Sequence, residues 1–310
     1  MISVVVIGRN EAARLHACME SIHRSLSILS HEILYVDSRS TDDSVAIAKS
    51  HGARCFVLEA QQTTAGLGRH VGTQEAKGEY LLFLDGDMQL QKGFCEKAMM
   101  AMAQRNYDGC TGVRKDIYMK GDIVAGVNEN YFRCTQERIV PEFGGALFIK
   151  REALLRAGSW SCDTIACEEA ELHARLAAAS CQIAELPVPM IVHTDAVRDG
   201  RGVLGTIFSR RRLGEGQALR CAMALKQASA YIHHEHEKFL LYSIDWMCVI
   251  LILVLGVWGL LGALFFQTAQ LGRFLASRRI RAFVSQKLFF FAFPMGLLSY
   301  RQRSRSYTEV

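Results

Sequence analysis

Two aspartates separated by one glycine, Asp85-Gly86-Asp87, follow the apolar run Leu81-Leu82-Phe83-Leu84. Two carboxylates this close at a strand end suit a hard divalent cation. Mg2+ or Mn2+ takes oxygen ligands and usually shares its shell with substrate phosphates. One acid would hold the metal, and the other would act through water or a sugar hydroxyl. The plain alternative is a solvated Asp-Gly turn. The preceding apolar residues and two further acidic strand ends, Arg9-Asn10-Glu11 and Asp37-Ser38, weigh against it. A second acidic group, Glu168, Glu169 and Glu171, opens a helical segment. A helix start favours anions in any case, but a carboxylate there within reach of a hydroxyl would also serve as a general base.

Such residues need a scaffold that brings several strand ends to one rim. "ISVVVIG", "EILYVD", "ARCFVL" and "EYLLFLD" are continuous β-rich runs, the pattern of strands buried on both faces. Helical spacing separates them in "EAARLHACMESIHRSL", "STDDSVAIAKSHG" and "AGLGRHVGTQEAKG". This alternation predicts an α/β fold with a doubly wound, mainly parallel sheet, in which ligands bind at the carboxyl ends of the strands. Beyond it, "GFCEKAMMAMAQR" and "CEEAELHARLAAAS" read as helices. "GCTGVRKDIY", "CQIAEL" and "MIVHT" read as strands, "GGALFIKREALLRAG" as a strand entering a helix, and Val203–Ser229 as mostly helical.

The 310 residues are half hydrophobic, enough for one large domain or two modest ones. No repeat is present, and no GxGxxG follows the first strand, against a nicotinamide site. Ten scattered cysteines with no CxxC pair indicate reduced thiols in a cytosolic setting. "MISVVVIGRN" reads as a strand, not a signal peptide. From Leu241 onward eight Lys/Arg face two Asp/Glu, a charge of +6, so the remainder carries −1 of the net +5. A basic excess confined to an apolar tail predicts an anionic membrane surface rather than nucleic acid as partner.

Five segments in order resemble family-2 glycosyltransferases of the GT-A fold over roughly residues 1–230: "VVVIGRNEAARL", "YVDSRSTDDS", "GRHVGTQEAKGEYLLFLDGD", "GGALFIKREAL" and "EEAELHARL". The resemblance implies an inverting transfer from a nucleotide sugar, a UDP-sugar by family frequency. Arg9, Asn10, Glu11, Asp37 and Ser38 would lie on the nucleotide side, with Glu11 and Asp37 on its ribose and base. Asp85 and Gly86 would lie near the ribose or sugar, and Arg69 would face the phosphates. Asp87 would bind Mn2+ or Mg2+, with Asp85 beside it and His193 completing the shell. Gly144 and Gly145 would form the acceptor-side glycine pair. Glu169 would be the general base, with Glu168 as the fallback. The chain departs from the family's pattern in having Glu at position 169 where Asp is common, His70 where Asn is common, and Gly8-Arg9 where a proline is expected. "QALRC" ends in Cys221 where processive synthases carry Trp, which counts against a processive polymerase.

Trp246–Phe266 is a run of 21 uncharged residues, long enough as one helix to cover roughly 30 Å and cross a bilayer. Residues 283–300 form a second, weaker apolar segment. The expected division is therefore a catalytic domain over 1–230 and a membrane-associated region over 231–310. A crossing at 246–266 followed by a return would put Arg273, Arg278, Arg279 and Arg281 outside, against the positive-inside tendency. A re-entrant or interfacial arrangement would keep them cytoplasmic. Arg210, Arg211 and Arg212 would grip a lipid-linked pyrophosphate or the headgroups. His233, His234 and His236 read as a wet helix face. The resulting expectation is an inner-membrane-associated enzyme with a cytoplasmic catalytic domain and a lipid-linked glycan acceptor in polysaccharide or cell-envelope assembly. Its rivals are transfer to a polyprenyl phosphate and a catalytically decayed, membrane-tethered binding module.

Overall fold

The computed structural model describes residues 1–140, 143–197, 209–276 and 280–310. Residues 203–208, Arg278 and Arg279, which figure in the expectations above, lie outside that set. The described chain divides into two units: Met1–Asp199 with Arg301–Val310, and Gly200–Tyr300. The expected boundary at residue 230 thus lies inside the second unit, and the last ten residues belong to the first. A continuous apolar pattern located the strands, but it could not show a short segment rejoining a distant edge.

The first unit begins with β1 (Ile2–Gly8), α1 (Ala12–Ser25), β2 (His31–Asp37), α2 (Ser44–Ser50), β3 (Arg54–Leu58), α3 (Ala65–Glu75) and β4 (Tyr80–Asp85). These alternate as the periodicity predicts, and β3, β2, β1 and β4 lie parallel and adjacent. Then follow β5 (Met88–Leu90), α4 (Phe94–Arg105), β6 (Gly109–Lys120), β7 (Ile123–Asn128), β8 (Arg138–Ile139), β9 (Leu147–Lys150), α5 (Arg151–Arg156), α6 (Glu168–Ala178) and β10 (Ile183–Ala196). One sheet runs β11-β3-β2-β1-β4-β9-β6-β10-β5, where β11 is Tyr307–Glu309. The sheet is covered on both faces. Leu15, Met19, Ile22 and Phe94 pack on one side, and Leu67, Val71, Leu154, Trp160 and Leu172 on the other. Burial on both faces explains why β1 and β4 are apolar along their length.

The segments "CQIAEL" and "MIVHT" are one strand, β10, whose pairing with β6 shifts register around Pro189. Proline cannot donate to the ladder, so an irregularity there lets the strand continue. β10 also pairs antiparallel with β5, bringing His193 opposite Met88.

In the second unit a short 3-10 turn (Arg210–Leu213) leads to α7 (Gly214–Ala224), α8 (Ala228–His234), α9 (His236–Leu255), α10 (Val257–Ala276) and α11 (Ile280–Ser299). The expected single helix over 246–266 is not formed. The run folds into the ends of α9 and α10, which turn back on each other at Gly256. Gly256 has φ +54, a left-handed conformation that side-chained residues rarely adopt. Its N–H donates to Ile252 O and its carbonyl accepts from Leu260 N. Among the described residues one helix, α9, is long and apolar enough to cross a membrane by length and composition.

Candidate active site

β4 delivers Asp85 to the carboxyl rim of the sheet, and the chain turns at once into β5. The two aspartates of the Asp-Gly-Asp stretch therefore face different neighbours.

Asp85 faces α3. Arg69 on that helix is 2% exposed and spends its guanidinium on three carboxylates. One terminal nitrogen donates to Asp85 Oδ1 at 3.0 Å, and the other to Glu168 Oε1 at 3.1 Å and Glu169 Oε1 at 3.3 Å. Its flat face lies 4.8 Å from the Trp160 ring centre, a cation–π contact. Arg69 is thus the hub of an acidic cluster, where the resemblance had it facing phosphates. Gly145 of the expected glycine pair closes this corner. A Cβ there would stand 2.7 Å from both the guanidinium and Asp85 Oδ2, so a larger residue would have to displace the Arg69–Asp85 pair. Gly144 beside it lies next to Phe132.

Glu168 and Glu169 are the first residues of α6, entered through Cys167 at φ 66. Glu168 is buried, while Glu169 keeps a quarter of its side chain exposed. Glu171 makes a two-pronged ion pair with Arg175 at 2.7 Å inside the core, a structural role. Burial, followed by the charge of Glu168, pushes the Glu169 carboxyl up to about 7 against the opposing pull of Arg69. A carboxylate that titrates near neutrality has the proton affinity a general base requires.

Asp87 faces the other way. Its Oδ2 lies 3.3 Å from His193 Nε2, and Arg14 of α1 approaches to 4.0 Å. Burial raises the Asp87 carboxyl, but the hydrogen bond and charge of His193, with Arg14, outweigh it and hold the group below the usual range. The Asp87 bond correspondingly raises His193. The cross-strand neighbour of His193 is Asp116 on β6, with its Oδ1 3.1 Å from His193 Nδ1. Asp116 is buried and accepts from Arg114 Nε at 2.7 Å.

Among the described residues no group of three or more His, Cys, Asp or Glu side chains forms a preformed metal cage. Asp87 Oδ1 is nonetheless buried without a hydrogen-bond partner. An orphaned carboxylate oxygen beside an imidazole held from behind by Asp116 fits a divalent cation that completes its shell from a ligand. Asp85, the other expected metal ligand, is turned to Arg69 instead.

The nucleotide-side residues meet at the ends of β1 and β2. Asp37 is buried and accepts from Ser40 N at 2.7 Å and Ser40 Oγ at 2.6 Å, while Ser38 N donates to Gly8 O. Asn10, at φ 56, accepts from Thr41 N at 2.8 Å, and Glu11 pairs with Arg14 at 3.0 Å. Arg9 is exposed. Gly86 packs against the Glu11 side chain. Arg210, Arg211 and Arg212 belong to the second unit, on its 3-10 turn. Sequence reasoning passed over Asp116, Arg114 and Arg14. An acid within the strand "GVRKDIY" was a signal for Asp116, but its partner became visible only through the β6–β10 register.

A mixed, mainly parallel sheet with acidic strand ends on one rim defines a GT-A fold. The chain is similar to S. aureus TarS 1–349 in complex with UDP-GlcNAc, with a TM-score of 0.56 at 16% identity over 70% of this chain and 65% of that one. It is also similar to GalNAc-T7 with UDP, GalNAc and Mn2+, with a TM-score of 0.51 at 16% identity over 63% of this chain and 44% of that one. The profile of glycosyl transferase family 2 matches residues 3–159, and the chain belongs to that family. An uncharacterized glycosyltransferase of Rickettsia bellii is 29% identical over 142 residues, 44% of this chain and 45% of the relative. The poly(ribitol-phosphate) beta-glucosyltransferase of Bacillus spizizenii is 32% identical over 92 residues, 28% of this chain and 14% of the relative. The chain spans less than half the length of these relatives.

Proposed function

We propose that the protein is a membrane-associated, metal-dependent, inverting glycosyltransferase. It moves a sugar from a nucleotide sugar, a UDP-sugar first, to a hydroxyl of a lipid-linked glycan. The observation that carries this reading is the pair of carboxylate clusters on the rim: Asp85, Glu168 and Glu169 gathered around Arg69, and Asp87 beside His193 with one buried oxygen left without a partner.

Glu169 takes the proton from the acceptor hydroxyl as its oxygen attacks the anomeric carbon. The new C–O bond forms on the face opposite the breaking bond to the diphosphate, and the configuration inverts. Arg69 restrains Glu169 by donating to it, and Trp160 and Gly145 hold that guanidinium in place. Asp87 and His193 would hold Mn2+ or Mg2+, with Asp116 fixing the imidazole. When bound, such a cation supplies charge that stabilises the departing diphosphate. Glu11, Asp37 and the loop latched by Asn10 form the nucleoside side. The uridine nucleotides in the TarS and GalNAc-T7 structures support a UDP donor, and the ribitol-phosphate glucosyltransferase relative supports a cell-envelope polymer pathway. The catalytic unit would face the cytoplasm, where nucleotide sugars are made.

Calorimetric titration of UDP and GDP, with and without Mn2+, into the wild type and Asp87→Ala tests this. Metal-dependent UDP binding that disappears in the variant is expected. No binding of either nucleotide would overturn the reading.

A further inference from the structure

The α9–α10 hairpin presents an exposed apolar tip. Leu253 is 79% exposed and Trp258 78%, and Val254, Leu255, Val257 and Phe265 are likewise exposed. We propose that this hairpin enters one leaflet of a phospholipid bilayer and leaves by the same face without crossing. The inference rests on the membrane part of the reading above and is independent of its chemistry.

Depth is the first argument. Trp246–Phe266 is 21 residues long, but Gly256 folds it in half. Each arm then carries ten residues before the first polar or charged side chain, Asp245 on one and Gln267 on the other, about 15 Å at 1.5 Å per residue. That is half of a hydrocarbon core of about 30 Å, the thickness of one leaflet.

The second argument is the polar girdle where the apolar arms end. Asp245 immediately precedes the run and Gln267 immediately follows it, and the two are hydrogen bonded at 2.9 Å. Lys287 of α11 joins Asp245 and donates to Gln270 Oε1 at 2.8 Å. A paired, hydrogen-bonded set of this kind suits the level where hydrocarbon gives way to headgroups. Buried at the midplane of a spanning hairpin, the same charges would be costly. Further along both arms, Glu237 and Arg273 face each other.

The turn itself supplies the third argument. A hairpin that crossed would need polar residues to meet water on the far side. Residues 253–258 are Leu-Val-Leu-Gly-Val-Trp. Gly256 at the turn keeps its own N–H and C=O bonded to the two helices, to Ile252 O and Leu260 N, as a hydrocarbon setting favours.

Connectivity is the fourth. The first unit comprises Met1–Asp199 and Arg301–Val310, and within the returning segment β11 pairs with β3. Both ends of the second unit are thus tied to one folded body, so any number of crossings must be even. A hairpin that enters and returns satisfies this with none.

The test uses the full chain on phosphatidylcholine–phosphatidylglycerol vesicles. Tryptophan quenching is compared for lipids brominated near the headgroup and near the chain end. Trp258→Phe isolates the tip signal from those of Trp160 and Trp246. Several-fold stronger quenching of the Trp258 component by deep than by shallow bromines is expected. Stronger quenching by shallow bromines would mean a hairpin lying flat or emerging on the far side, and would overturn the proposal. So would the absence of quenching, including the case in which light scattering shows the tip buried against a second copy. In flotation, the pair Val254→Glu and Val257→Glu should shift the protein from the vesicle fraction to the soluble one. UDP binding measured on the same samples separates the two readings. If deep quenching persists without UDP binding, the hairpin stands and the enzymatic proposal falls. If UDP binding persists without quenching, the reverse holds.

Discussion

Two carboxylate clusters lie within a few residues of each other on one sheet rim, and they hold their protons in opposite ways. Around Arg69, a single buried guanidinium serves the buried Glu168 and the half-buried Asp85 and Glu169. Negative charge is in excess, and Glu169 relieves it by holding a proton more tightly. Around Asp87, His193 and Arg14 approach one carboxylate, while Arg114 and His193 share Asp116. Charge there is nearly matched, and Asp87 stays ionised despite its burial. On the proposed reading, the ratio of cations to carboxylates within reach, acting on top of burial, would make one group the proton acceptor and the other the cation ligand.

The sharpest way to break this contrast is Glu169→Gln. It should cut kcat for a hydroxyl acceptor by up to about 10^4-fold, the upper range for losing a general base, with UDP affinity unchanged by calorimetry. A phosphate acceptor would leave kcat nearly intact and return the polyprenyl-phosphate rival. Next in size is Asp87→Ala, or removal of divalent metal by EDTA. Either should lower turnover by about 10^3-fold, the scale for one preorganised electrostatic group, with loss of metal-dependent UDP binding. Asp116→Asn keeps a hydrogen-bonding group behind His193 but removes its charge. A loss of about 10- to 100-fold in Mn2+ affinity is expected, measured as the Mn2+ dependence of UDP binding. The smallest effect is in the pH profile. Glu169 must be ionised to accept a proton, so kcat/KM should fall as pH drops through about 7. Glu168 contributes to that upward shift, so Glu168→Gln should move the acid limb to lower pH. A limb that stays in place would show that the two carboxylates are not coupled.

Much of the first unit was legible because its cause is local. Apolar runs ending in Glu11, Asp37 and Asp85 mark parallel strands whose ends share a rim, and β1, β2 and β4 run where the periodicity places them. The assignment of neighbours was not legible. Arg69 looks like any cation on a helix until α6 is laid beside α3. Asp116 looks like a surface acid until β6 pairs with β10 and puts it next to His193. Both depend on contacts between residues about 80 to 100 positions apart, which no window of sequence contains. In the second unit the counting argument favoured one crossing helix. It weighed the length of the apolar run and ignored the one residue, Gly256, whose backbone freedom folds that run in two.

The return of residues 307–309 to the sheet has a consequence in time. β3 is an edge strand until Tyr307–Glu309 pairs with it, and Tyr307 then bonds Glu75 while Arg54 reaches Glu309. On a ribosome those residues emerge only after the whole second unit has been made. The nascent first unit therefore waits with one flank of its sheet uncapped while the greasy helices find their place. An uncapped flank invites pairing with a stranger, and synthesis that stalls between the two units would leave it open for longest.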